Sequence, residues 1–359
     1  MRYIFILLII ISASLYSCKK EIGEITPFED SVVSLDLGGT LPPPNLPSDN
    51  VLTNSKVELG RYLFYEKMLS GNNQMACANC HNQETAFSDI AQFSTGIDGL
   101  QGNRQAMSIV NMAWNTNGFF WDGRSTLLRD QSLKPITDPL EMHENLDYAL
   151  IELKASTLYK ILFQRAFADG EINSLNLSLA LEAFMNTIVS SNSRYDQYLR
   201  GEVTFTVSEI RGKYLFFTEY NPGFPATSGA DCVHCHAGKN FENDSYINNG
   251  LDLEANFLDL GRFNVTNSSA DRATFKVPTL RNIELTPPYM HDGRFQTLEQ
   301  VIEHYNSGIQ TSSTAHPALI YTQSTGLMLD VQEKADLLAF LKTLTDHTLA
   351  TNPKYKSPF

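Results

Sequence analysis

Apolar positions recur at helical spacing in four stretches, Val57 to Tyr65, Leu177 to Val189, Ile210 to Phe217 and Ala335 to Leu344. Each reads as an amphipathic helix with one face turned to a core. Runs of strand-like alternation are short and isolated, so the pattern predicts an all-α chain with long loops and little or no sheet. At the front, Ile4 to Ile11 is an almost unbroken apolar run behind Arg2. It is too short to cross a bilayer as a helix and has the size of a signal-peptide core. Further on, Leu41-Pro42-Pro43-Pro44-Asn45-Leu46-Pro47 is neither helix nor central strand, because Pro fixes φ and removes a donor. Residues 19–50 are therefore read as a Pro-rich tether, with an ordered arm lying on the protein as the alternative.

The first apolar run ends in Leu15-Tyr16-Ser17-Cys18, a sequence like a bacterial lipoprotein cleavage box. On this reading residues 1–18 are a lipoprotein signal peptide, and a lipid on Cys18 anchors the chain to a membrane without spanning it. Ordinary cleavage that discards Cys18 is the alternative. Either way the chain is exported, to the periplasm or cell envelope.

Of the five cysteines, four fall in two Cys-x-x-Cys-His motifs, Cys77/Cys80/His81 and Cys232/Cys235/His236, which leaves none for a disulfide once Cys18 is set aside. This is the attachment signature of c-type haem. Two thiols add across the vinyl groups of one porphyrin edge, and the adjacent His reaches the iron. Structural zinc is the rival, but the two Cys pairs lie too far apart in sequence and no fourth ligand is near either. A thioredoxin-like dithiol requires neither the His nor the second copy.

The motifs sit inside an internal repeat. Gly60-Arg61-Tyr62-Leu63-Phe64 precedes the first, and Gly212-Lys213-Tyr214-Leu215-Phe216 precedes the second. Phe120-Trp121-Asp122-Gly123-Arg124 follows the first, and Met290-His291-Asp292-Gly293-Arg294 follows the second. The order predicts two cytochrome c-type haem domains in tandem, 51–200 and 201–359. A formal charge of −13 argues against nucleic acid as a partner and suits a basic redox protein. No histidine lies between His81 and His143, so the loop after the first motif supplies no second axial His.

With these stretches, Asp138-Pro139-Leu140-Glu141-Met142, Phe275 to Asn282 and Pro288 to Gly293, the chain resembles the bacterial di-haem cytochrome c peroxidase family, MauG-type enzymes included. The resemblance covers residues 55 to 345. It implies a peroxidatic N-terminal haem held by His81, with Glu141 as distal acid–base group and Pro135 in the distal pocket. It implies Trp121 between the haems, and calcium held by carbonyls of Thr286 and Pro288 with Gln105 in place of the usual Asn. The loop that carries an axial His in many members has Ile97 and Asp98 here, so this chain is expected to lack that switch. At the second haem, Tyr305 falls where peroxidases have Met and MauG-type enzymes have Tyr. The resemblance thus implies hydrogen peroxide reduction with electrons from a small cytochrome c or cupredoxin. The alternatives are MauG-like oxidation of a protein or organic substrate, and a non-enzymatic electron-transfer cytochrome. Members are often homodimers.

Overall fold

The computed structural model describes residues 28–29 and 31–359. The signal peptide and the lipidated Cys18 lie outside the described residues. The first half contains α1 (Asn54–Phe64), α2 (Cys77–Cys80), α3 (Leu128–Thr137), α4 (Leu146–Ala155), α5 (Thr157–Ala166), α6 (Ser174–Asn186) and α7 (Arg194–Leu199). The second contains α8 (Val207–Phe217), α9 (Phe263–Thr266), α10 (Leu298–Glu303), α11 (Ile320–Thr325) and α12 (Val331–Lys342). Strands β1 (Tyr246–Ile247) and β2 (Phe275–Lys276) pair antiparallel, Tyr246 opposite Lys276. The expected helical character with almost no sheet is what the chain adopts. Among the described residues no helix is long and apolar enough to cross a membrane.

The helices start earlier than the apolar pattern implied, because side-chain caps set their beginnings. Thr53 accepts the Lys56 N–H at the start of α1. Thr206 with Glu209 and Asp330 with Glu333 form capping boxes that start α8 and α12. Each such bond satisfies an amide that has no partner inside the helix.

The repeat is visible as packing. In α1 a side-chain carbon at Gly60 would collide with the Ala180 carbonyl of α6 and lie 2.7 Å from the Phe184 Cβ. In α8 the same carbon at Gly212 would collide with the Asp336 carbonyl of α12 and lie 2.8 Å from the Phe340 Cβ. Both helix pairs cross at a glycine, over a phenylalanine that belongs to the local core. The first core gathers Leu63, Phe64, Phe163 and Phe184, and the second gathers Leu215, Phe216, Phe241 and Phe340.

Two boundaries differ from the sequence reading. Leu349 and Tyr355 pack in the first core although they follow the second half, and Tyr65 Oη donates to the Tyr355 carbonyl at 2.7 Å. Tyr195 belongs to the second core although it precedes residue 200. The tether expected over 19–50 is also corrected for residues 31–50, which lie on the body. The Val33 amide donates to the Leu52 carbonyl at 2.9 Å, the Asn45 amide to the Ala113 carbonyl at 3.0 Å, and the Trp114 indole to the Pro42 carbonyl at 2.9 Å. Pro lacks an N–H but keeps an acceptor, so Pro42 docks through its carbonyl, while Val33 and Asn45 on either side donate their amides.

A methyl group at either helix crossing must push two backbones apart. G60A and G212A should each lower the unfolding free energy by about 1–3 kcal/mol, read by denaturant titration. An unchanged midpoint in both would contradict this packing.

Candidate functional site

Helix α2 is a single turn, which brings Cys77 and Cys80 onto one side. His81 ends it, and its amide donates to the Cys77 carbonyl at 3.0 Å. His81 Nδ1 lies 3.0 Å from the Phe87 carbonyl. A carbonyl only accepts, so Nδ1 carries the proton and Nε2 is left with a free lone pair. In the second motif His236 Nδ1 lies 3.2 Å from both the Phe241 and Pro278 carbonyls. Burial lowers the His81 pKa and pushes that of His236 down to about 4, so both rings are neutral and able to ligate. The four thiols are free. Burial raises Cys77 and Cys232 to about 12 and Cys80 and Cys235 to about 11. Among the described residues no three His, Cys, Asp or Glu side chains gather as a metal site.

A cavity of about 910 Å³ opens beside Cys80 and His81. Its walls include Trp121, Pro135 and Glu141. Two free thiols, a ring nitrogen with an unused lone pair and a large adjoining space fit a covalently attached haem.

Glu141 is carried by the turn after α3. Pro135 lies in the last turns of α3, and Asp138 ends the helix by accepting the Leu140 amide on its side chain at 2.9 Å and the Glu141 amide on its carbonyl at 3.0 Å. Burial raises the Glu141 carboxyl to about 7, the negative charge of Asp138 adds to that, and Arg124 opposes it. Gln131 lines the same space with Pro135 and Glu141, a site residue the sequence reading passed over. It stands four residues before Pro135, so helical periodicity already put both on one face.

Trp121 is fixed at the contact between the halves. Its indole donates to the Gln105 carbonyl at 2.8 Å, and the Gln105 amide donates to the His291 carbonyl at 2.8 Å. Trp121 and His291 hold matching places in the repeat. Each sits in a loop closed by one antiparallel bridge, Phe119 with Ser125 and Tyr289 with Phe295. Phe120 and Met290 both have positive φ, as do Gly123 and Gly293. His291 stacks on Phe275 at 3.6 Å, and burial pushes its pKa down to about 4. Arg104 ties the Trp121 loop to the second half, with Nη1 at 2.7 Å from Asp122 and Nε at 2.6 Å from Asp259.

Tyr305 lies in a π-helical turn, His304–Gly308, directly after α10. Such turns often mark functional positions. Asn249 Nδ2 donates to its hydroxyl at 3.3 Å and to Met290 Sδ at 3.4 Å. Burial pushes the phenol up to about 12, and the nearby Cys235 and Cys232 add to that, so the hydroxyl sits on the side of the second motif. Met328, a thioether in the same half that could ligate in place of Tyr305, is half-exposed. The offset of 170 residues that relates Trp121 to His291 also relates Pro135 to Tyr305. One position of the repeat thus holds a side chain unable to ligate in the first half and a phenol in the second.

Of the residues expected to hold calcium, Gln105 is buried, and its Nε2 donates to Ser88 Oγ and the Asp89 carbonyl, both at 3.0 Å. Its Oε1 is the side-chain atom left for a cation. Residues 97 and 98 carry no imidazole, and the Ile97 amide donates to the Glu141 carbonyl at 2.9 Å.

The family model described as di-haem cytochrome c peroxidase matches residues 54–204. Over 299 residues the chain is 34% identical to the methylamine utilization protein MauG of Methylorubrum extorquens, covering 83% of this chain and 80% of that one. Over 304 residues it is 33% identical to the cytochrome c551 peroxidase of Nitrosomonas europaea, covering 84% and 82%. Among solved structures, a MauG-like protein associated with microbial copper homeostasis aligns with a TM-score of 0.80 at 36% identity, covering 91% of this chain and 99% of that one. The diheme peroxidase BthA of Burkholderia thailandensis shares the fold, with a TM-score of 0.68 at 21% identity, covering 91% and 94%.

Asp122 is buried, and Arg104 neutralises it together with Asp259. Replacing Arg104 with Met should therefore lower stability by about 1.5–3 kcal/mol, the range for hydrogen bonds to charged groups. Thermal unfolding measures this, and an unshifted midpoint would contradict the role given to Arg104.

Proposed function

Because the chain belongs to the di-haem cytochrome c peroxidase family, whose members are oxidoreductases acting on peroxide, we propose that it reduces hydrogen peroxide on the His81 side of the large cavity, with Glu141 as the proton-transfer group. The observation that carries this reading is Glu141 facing the same cavity as His81, with a carboxyl raised to about 7. Haem bound at Cys77/Cys80/His81 and at Cys232/Cys235/His236 would supply the electron chemistry that cleaves the O–O bond. The Glu141 carboxylate takes the proton from one peroxide oxygen and returns it to the other, which leaves as water. Two electrons and two protons convert one peroxide to two waters, and a small cytochrome c or cupredoxin is the proposed donor. Pro135 keeps the ligand side free of a competing side chain, and Gln131 offers an amide beside Glu141. Trp121 is held rigidly at the contact between the halves, a position suited to an aromatic relay. The Gln105 Oε1 with the Thr286 and Pro288 carbonyls is the proposed calcium site. Export and anchoring by a lipid on Cys18 are proposed from the sequence of residues 1–18.

Tyr305 favours a second reading, MauG-like oxidation of a protein or organic substrate. An anionic oxygen ligand holds an iron at lower potential than a thioether does. Such a ligand would stabilise the oxidised states of the second haem, so that oxidising equivalents stored there persist until a protein or organic donor docks.

Two measurements check these readings. A base that must be ionised gives a rate that rises with pH through its pKa, so the peroxide reaction of the ferric holoenzyme should rise through about 7 and level off. E141Q should abolish that limb and slow the reaction by about 10²-fold or more; R124Q should move the limb upward. Wild-type kinetics in E141Q would refute the assignment. Spectroelectrochemical titration of Y305M should show the second haem at higher potential than in the wild type. An unchanged potential would mean that Tyr305 is no ligand.

A further inference from the structure

A small hairpin lies against the turn that carries Glu141. Thr95 and Gln101 form an antiparallel bridge, the Gly96 amide donates to the Leu100 carbonyl at 2.8 Å, and Gly99 closes the tip at φ +74°. The tip leans on residues 140–143. The Ile97 amide donates to the Glu141 carbonyl at 2.9 Å, and Gly96 approaches so closely that a side-chain carbon there would collide with the Leu140 carbonyl. From the other side the Gly71 amide holds the Met142 carbonyl at 2.9 Å. Side chains join the tip to the turn where Asp98 Oδ2 meets His143 Nδ1 at 2.5 Å. His143 has φ +43°, a conformation that a non-glycine residue keeps only when its surroundings fix it. At its base the hairpin reaches the haem-attachment side. The Ser94 hydroxyl donates to Asp89 Oδ2 at 2.6 Å, and Ser94 lines the cavity with Cys80. One hairpin therefore spans from the first motif to Glu141.

We propose that Asp98 and His143 form a clasp that fixes hairpin 94–102 on the Glu141 turn and so sets where the Glu141 carboxyl stands in the cavity. This rests on the reading of Glu141 as the proton-transfer group. Neither Asp98 nor His143 lines the cavity, so they are positioning residues. A two-stranded hairpin alone is marginal in water, and this tip has one backbone bond to the turn. The clasp is half-exposed, with side chains 48% and 53% accessible, so its effect is local rather than on global stability. An alanine at either position frees the tip to swing away from Glu141.

The test compares wild type, D98A, H143A and D98N as ferric holoenzymes. D98A and H143A should exchange the amides of residues 95–101 about tenfold faster, with little change in the unfolding midpoint. Their peroxide reaction should slow by about tenfold or more, since small misplacements of a catalytic group cost rate. D98N keeps an acceptor for His143 and should return both readouts close to wild type. Unchanged exchange in D98A and H143A overturns the clasp. Faster exchange with an unchanged peroxide rate overturns it too, because the hairpin then does not set Glu141. E141Q separates the two readings. Wild-type kinetics in E141Q refute the proton-transfer role, whereas a slow E141Q beside an unaffected D98A refutes the clasp alone.

Discussion

The two halves are joined at the site by a short run of directional hydrogen bonds. The Trp121 indole donates to the Gln105 carbonyl, and the Gln105 amide donates to the His291 carbonyl. Gln105 and His291 are buried, so a broken link would leave polar groups with neither water nor protein partners. Arg104 reinforces the contact by bridging Asp122 of one half to Asp259 of the other. Deeper in the protein, Arg281 and Asp196 form a fully buried bidentate pair, and Thr40 of the N-terminal arm donates to the same carboxylate. Buried polar contacts therefore join the halves, and the large cavity takes its walls from both.

On this frame the repeat diverges in its loops rather than its helices. Both halves cross two helices at a glycine, and both present a neutral His whose Nδ1 is fixed by a carbonyl. The segments after the Trp121 and His291 loops differ. In the first half α3 carries Pro135 and breaks into a turn that returns a carboxyl, Glu141, to the cavity. In the second, α10 widens into a π-turn that sends the Tyr305 phenol toward the second pair of thiols. One half keeps space and a buried carboxyl there; the other has a buried phenol at the equivalent position.

Much of this was legible in the sequence because it is local. The thiol spacing, the helical periods and the repeat of Trp121-Asp122-Gly123-Arg124 in His291-Asp292-Gly293-Arg294 need no knowledge of the fold. Gln131 was equally legible, one helical turn before Pro135. The rest depends on distant partners. Nothing in the polyproline run shows that the Pro42 carbonyl meets the Trp114 indole. No local pattern joins Asp98 to His143, or Arg281 to Asp196, because such pairs form only after chain segments with no shared period have packed. The return of Leu349 and Tyr355 to the first core is of the same kind.

The central claim is that the two haem sites are unequal, one open beside Glu141 and one closed by Tyr305. Ferric EPR of the holoenzyme during titration with cyanide tests it most directly, since a small anion binds only an iron with a free position. The account predicts that one of the two haem signals converts, that the loss of His81 removes that signal, and that the other persists unchanged. Conversion of both signals, or of neither, would contradict it.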